Sequence, residues 1–151
     1  MGGGVVMISF VVEGIPQPRG SKKALPNRST GRAMMVDSNP KSGPWMDAVA
    51  HRAAKAMDGS PLFDGPVEVL IRFAFPRPKS HYRTGKHSGE LRDDAPDWHF
   101  KKPDCDKLVR AIGDGMTGVV YRDDSQISLL HVDKRYAASG GYVSVSVQML
   151  D

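Results

Sequence analysis

A single cysteine, Cys105, in 151 residues excludes an internal disulfide framework and a cysteine-rich zinc site, and suits a reducing compartment. No apolar run approaches the length that spans a bilayer, and the start, Met1-Gly2-Gly3-Gly4, has no basic segment ahead of an apolar one. These absences point to a cytoplasmic protein with no membrane partner. Met-Gly formally opens a myristoylation pattern, but Val6 stands where Ser or Thr is required. The histidines His81, His87 and His99 are dispersed, with no pair at zinc-site spacing. No internal repeat is visible.

What is present is one domain's worth of chain, with 40% hydrophobic residues, enough for an ordinary core. The net charge of +4 is only mildly basic, so its distribution is more informative. Between Ile15 and Val36 stand Arg19, Lys22, Lys23, Arg28 and Arg32 with no acid among them. Both a phosphate-backbone partner and a solvated loop fit that cluster.

Met7 to Val12 reads as a buried strand, and residues 16–39, rich in Pro, Gly, Ser and basic side chains, as a mobile loop with a brief extended piece at Ala33 to Val36. Ser42 is an N-cap candidate for a helix ending near Gly59, with Trp45, Val49, Ala53, Ala56 and Met57 on its apolar face. Val67 to Phe75 alternates as a core strand. Residues 76–102 lack periodicity and read as a second mobile basic loop, in which Trp98 and Phe100 either tether the loop or stack on bases. After a second helix, Ile127 to Val132 and Val143 to Met149 supply two more strands. This order predicts an α/β fold, an α+β sandwich with a mixed β-sheet packed against two principal helices.

The chemistry is concentrated in Lys102-Pro103-Asp104-Cys105-Asp106-Lys107-Leu108-Val109-Arg110 and in Tyr121-Arg122-Asp123-Asp124-Ser125-Gln126. On one continuous helix Asp104 and Asp106 would point about 200° apart. The spacing therefore favours Asp104 on extended chain and Asp106 at the N-cap of a helix. Leu108, Val109, Ile112 and Met116 form its apolar arc, Asp106, Arg110, Gly113, Asp114 and Thr117 a different face, and Gly118 its stop. Three converging aspartates suit a hard divalent ion acting on a phosphodiester, with Arg110 donating to the developing charge. Helix capping and turn formation account for the same aspartates equally simply.

Those two stretches, with the spacer ending Asp114-Gly115-Met116-Thr117-Gly118, resemble the signature of the RusA family of Holliday-junction resolvases. The match is dense over residues 101–127; Pro16-Gln17-Pro18-Arg19-Gly20 and the helix near Trp45 match more loosely. The resemblance implies a RusA-like fold and a homodimeric endonuclease, often phage-encoded, acting in recombination and repair. Such enzymes use magnesium or manganese, with no small organic cofactor, to nick opposing strands of a four-way DNA junction. It places the catalytic, metal-binding aspartates on Asp104, Asp106 and Asp124, with Asp123 supporting them. Arg19, Lys22, Lys23, Lys101, Lys102 and Lys107 are the expected DNA contacts. The family's catalytic lysine falls on Arg110, a departure, because guanidinium cannot shuttle protons as an amine can. A non-catalytic junction-binding protein and a nuclease for flaps or other branched DNA are the alternatives. The 76–102 loop exceeds the family's minimum length.

Overall fold

The computed structural model describes residues 4–151. Strand β1 spans Met7–Glu13, β2 Lys22–Pro26, β3 Ala33–Asp37, β4 Val67–Pro76, β5 Ile127–Ala137 and β6 Tyr142–Met149. Helix α1 spans Ser42–Met57 and α2 Cys105–Met116. Four strands form one mixed sheet in the order β1-β6-β4-β5, antiparallel except for the β4–β5 pair. Parallel neighbours need a long crossover, and here it carries the second basic loop and α2.

Period-two alternation decides which face is buried. Ile8, Phe10 and Val12 of β1, Val69, Ile71 and Phe73 of β4, and Val143, Val145 and Val147 of β6 point into one core. Trp45, Val49, Ala53 and Met57 of α1 and Leu108, Ala111, Ile112 and Met116 of α2 meet them there. The sheet's other face is polar: the hydroxyls of Ser9 and Ser146 lie 2.9 Å apart, and Arg72 makes a forked contact with Asp133 at 2.9–3.2 Å. The expected mixed sheet against two helices is what forms.

The helices approach closely at Gly115, where a Cβ would lie 2.9 Å from Val49 Cγ1 and 3.2 Å from the Met46 carbonyl. That contact fixes α2 against α1 and so fixes the direction in which the carboxylates of α2 face.

Three local expectations change. Residues 16–39 contain the β2–β3 ribbon, paired from Lys22–Asp37 to Pro26–Ala33. Every residue of β2 is exposed, so no burial pattern could mark it in the sequence. Ser42 is buried inside the first turn of α1; Lys41 flanks the helix with no side-chain cap. The helix ends at Met57, near Gly59 as expected, with Asp58 in a left-handed conformation as its C-cap. Strand β5 continues five residues past Val132, because Asp133, Lys134 and Arg135 find partners in Arg72, two loop carbonyls and Trp98.

Residues 77–104 are irregular apart from two single 3₁₀ turns. They are fastened to the sheet along one side. The Arg77 guanidinium donates to the Pro96 carbonyl at 2.8 Å and lies 4.7 Å from the Tyr136 ring centre. Trp98 pairs with Arg135 of β5, whose guanidinium lies 3.7 Å from the indole centre. Trp98 thus tethers the loop to β5, one of the two roles weighed for it. Among the described residues no helix is long and apolar enough to cross a membrane.

Candidate active site

Asp104 holds the N-cap of α2, with extended backbone at φ −70° and ψ 143° and no side-chain capping bond. Its carbonyl accepts the helical bond from Leu108 N–H at 3.1 Å. Asp106 is therefore already inside the first turn, where the sequence reading placed it at the N-cap. The shift is of two residues, and it leaves the Asp104 carboxylate uncommitted to capping. Asp106 stands in the first turn, at the positive end of the helix. Both aspartates are exposed.

The chain leaves α2 through a tight return. Thr117 Oγ1 donates to the Gly113 carbonyl at 2.8 Å, and the Tyr121 hydroxyl donates to the same oxygen at 3.1 Å. Gly118, at φ 81°, takes the left-handed turn expected of it. Tyr121 is fully buried; burial first, then the charge of Asp124, pushes its phenol well above the ordinary range. It is a neutral donor locking the turn to the helix.

Asp123 and Gln126 form a capping box over the next single turn, Asp124–Gln126. Asp123 Oδ2 accepts from Ser125 N–H at 3.0 Å; the Ser125 side chain first, then this N–H, hold its carboxyl below the usual range. Gln126 Oε1 accepts from Arg122 and Asp123 N–H, while its amide donates to the Phe63 and Gly65 carbonyls at 2.8 and 2.9 Å. Gln126 thus ties the turn carrying Asp124 to the chain just before β4. The spacing Asp-x-x-Gln signalled this box, although the sequence reading gave Gln126 no role.

Asp106, Arg110 and Gly113 then line a cavity of about 370 Å³ together with Asp124, Ser128 and Leu130. Asp124 also borders a second cavity, of about 670 Å³, shared with Arg19, Lys22, Asp47, Asp114 and Asp123. A Cβ on Gly113 would lie 4.0 Å from the Cβ of Asp124, so Asp124 stands beside the helix at that residue. Seven residues separate Gly113 from Asp106, about 10 Å along the helix axis at 1.5 Å per residue, with Arg110 between them. The carboxylates line a groove. Among the described residues no three Asp, Glu, His or Cys side chains are grouped closely enough to hold a metal by themselves. Such a donor set does not make an all-protein cage. It fits a hard divalent ion that takes one or two carboxylates and completes its shell with water and phosphate, as magnesium commonly does.

The cations divide into two groups. Arg19 is half-buried and paired: its guanidinium meets Asp37 and Asp114 at 3.1 Å each, and its backbone N–H donates to the Lys107 carbonyl at 3.1 Å. Gly20 follows because a Cβ there would collide with Asp37 Oδ1 and Ser38 Oγ. Burial raises the pKa of Asp37, but hydrogen bonds from Asn39 and Gly20, the nearby Ser42 hydroxyl and the charge of Arg19 outweigh it and lower the carboxyl overall. This latch joins the base of the β2–β3 ribbon to α2. Lys22, Lys23, Lys101, Lys102 and Arg110 are exposed and Lys107 is half-buried. None of these six pairs with a carboxylate among the described residues. Sequence reasoning gave no role to Asp47, which no motif marks, or to Lys134, whose ammonium binds the Lys101 and Pro103 carbonyls at 2.5 and 2.7 Å just ahead of Asp104.

A groove with carboxylates at both ends, an arginine between them and free lysines nearby suits a phosphodiester backbone. The comparisons with known proteins agree with that chemistry. The chain is 29% identical over 139 residues to the uncharacterized protein YqaN of Bacillus subtilis (strain 168), covering 86% of this chain and 88% of that one. The family pattern of endodeoxyribonuclease RusA matches residues 14–148, from the end of β1 through β6, so it takes in both helices and both aspartate stretches. By that match the chain belongs to the RusA family of endodeoxyribonucleases.

Proposed function

We propose that the protein is a divalent-metal-dependent endonuclease that resolves four-way DNA junctions by paired nicks. One observation supports this above the others: Asp106 and Asp124 reach one cavity from separate elements, with Arg110 of α2 between them. In this reading magnesium or manganese is held by one or two of the carboxylates of Asp104, Asp106 and Asp124, with water and substrate phosphate completing its shell, and Asp123 positions Asp124 through the capping box. The bound ion supplies a water of lowered pKa and neutralises phosphate charge. Arg110 donates to the phosphate oxygens as negative charge builds on them, a task that needs a fixed positive charge and no proton transfer. Lys101, Lys102 and Lys107 bind the backbone on either side of Asp104, and Lys22 and Lys23 extend that contact along the exposed ribbon. Arg19 contributes by fixing the ribbon to α2. A four-way junction is nearly two-fold symmetric and needs two cuts, so a homodimer is the matching assembly.

Cleavage of a panel of labelled four-way, three-way, flapped and linear DNAs, each with magnesium or EDTA, tests the reading. Paired nicks in the four-way junction, with magnesium only, are expected. Preference for flaps would transfer the activity to another branched substrate. Metal-independent junction binding without cutting would support the second reading, a non-catalytic junction-binding protein, which is favoured by arginine standing where the family has lysine.

A further inference from the structure

Phe100 is 73% exposed, more than any other exposed large hydrophobic side chain among the described residues. Its exposure is not that of a loose chain. One residue earlier, His99 N–H donates to the Lys134 carbonyl at 3.1 Å, and its ring stacks on Phe75 with centres 4.3 Å apart. One and three residues later, the Lys134 ammonium takes the carbonyls of Lys101 and Pro103. Trp98 is clamped under Arg135. Phe100 is thus the untethered aromatic of a segment whose other members are fastened to β4 and β5.

Its surroundings indicate what the ring meets. Lys101 and Lys102 are exposed and without carboxylate partners among the described residues, so the segment attracts a polyanion. Asp104 is four residues on, which limits the Cα separation to about 14 Å at full extension. Nucleic acid offers phosphate for the lysines and a flat π-face for the ring on one molecule, and aromatic rings stack on bases of any sequence. In an intact duplex the bases are covered by their neighbours. At a branch point the stack is interrupted and a base face is open.

We propose that Phe100 is a wedge that stacks on a base exposed at the branch point of the DNA and favours branched over linear substrate. The proposal rests on the junction-cleaving reading of the groove. The ring inserts beside the scissile phosphate while Lys101 and Lys102 hold the backbone, and the pinned backbone on either side keeps it from folding back.

The test uses the full-length protein in EDTA, where nothing is cut. Its probe is a four-way junction carrying 2-aminopurine at the branch point, alongside a linear duplex of the same length. Wild type is expected to change the 2-aminopurine emission on binding. Phe100→Ala is expected to lose that change and to bind the junction about tenfold or more weakly, in line with the cost of losing one base–aromatic stack, with duplex affinity unchanged. Phe100→Trp is expected to restore both. An unchanged thermal midpoint for Phe100→Ala establishes that the fold is intact. If wild type prefers the junction and Phe100→Ala prefers it equally, the wedge is wrong and the junction reading survives. Equal losses on junction and duplex also overturn the wedge, as does an altered oligomeric state of Phe100→Ala, which would make the ring a protein contact. If wild type shows no preference for the junction, both ideas fall.

Discussion

Arg110 lies one helical turn beyond Asp106 and shares its cavity with Asp124. A guanidinium stays charged at every working pH, so the role proposed for it is electrostatic. Arg110→Met is expected to lower kcat for junction nicking by about 10²–10³, as loss of one aimed donor commonly does, with junction affinity in EDTA little altered. Arg110→Lys is expected to retain most of the rate. Wild-type kcat in Arg110→Met would remove this residue from the chemistry. Two other residues have structural tasks that the sequence only partly disclosed. Arg19 belongs to a basic cluster in the chain, yet in space it is consumed by Asp37 and Asp114; ion pairs between distant segments are invisible to local charge counting. Gln126 stood inside a recognisable Asp-x-x-Gln pattern, but its bonds to the Phe63 and Gly65 carbonyls depend on the parallel pairing of β4 with β5.

Elements are held in place by a few tight contacts. The Gly115 crossing sets how α2 lies on α1. Gly115→Ala is expected to destabilise the protein by about 1–2 kcal/mol, because the cost of overpacking exceeds the roughly 1 kcal/mol that alanine returns in helix propensity. Urea unfolding measures this, and an unchanged or raised midpoint would mean the helices have room to spare. The strap before α2 has a pH dependence of its own. Burial first, then the charge of Lys134, with smaller effects from His81 and Lys101, lowers the His99 pKa. A histidine with a depressed folded pKa prefers to be neutral in the native state. Its contribution is complete above the unfolded value, about pH 6.5, and falls as the pH drops below it. His99→Phe keeps an aromatic partner for Phe75 without the titration. The unfolding midpoints of wild type and His99→Phe are expected to differ by a constant amount above pH 7, with the balance moving in favour of the variant as pH falls from 6.5. A parallel decline of both proteins would locate the acid sensitivity elsewhere.

The buried elements were readable because they bury alternating or helical patterns: β1, β4, β6 and the apolar arcs of both helices all lie close to their expected limits. The β2–β3 ribbon buries no residue of β2, and the second half of β5 is polar, so neither had a pattern to show. The aspartates were legible as a motif, but their arrangement along a groove follows from helix rise and from the Gly113–Tyr121 lock, neither of which spacing alone conveys. At the scale of the whole molecule, family membership and the groove lead to one account. In the proposed function, carboxylates from α2 and from the turn before β5 would together hold a divalent ion that serves cleavage of a DNA backbone. The most direct test measures magnesium-dependent nicking of a labelled four-way junction by wild type and by Asp106→Asn, with binding followed in parallel in EDTA. The account predicts that Asp106→Asn binds the junction as wild type does and fails to nick it; nicking at the wild-type rate would contradict the account.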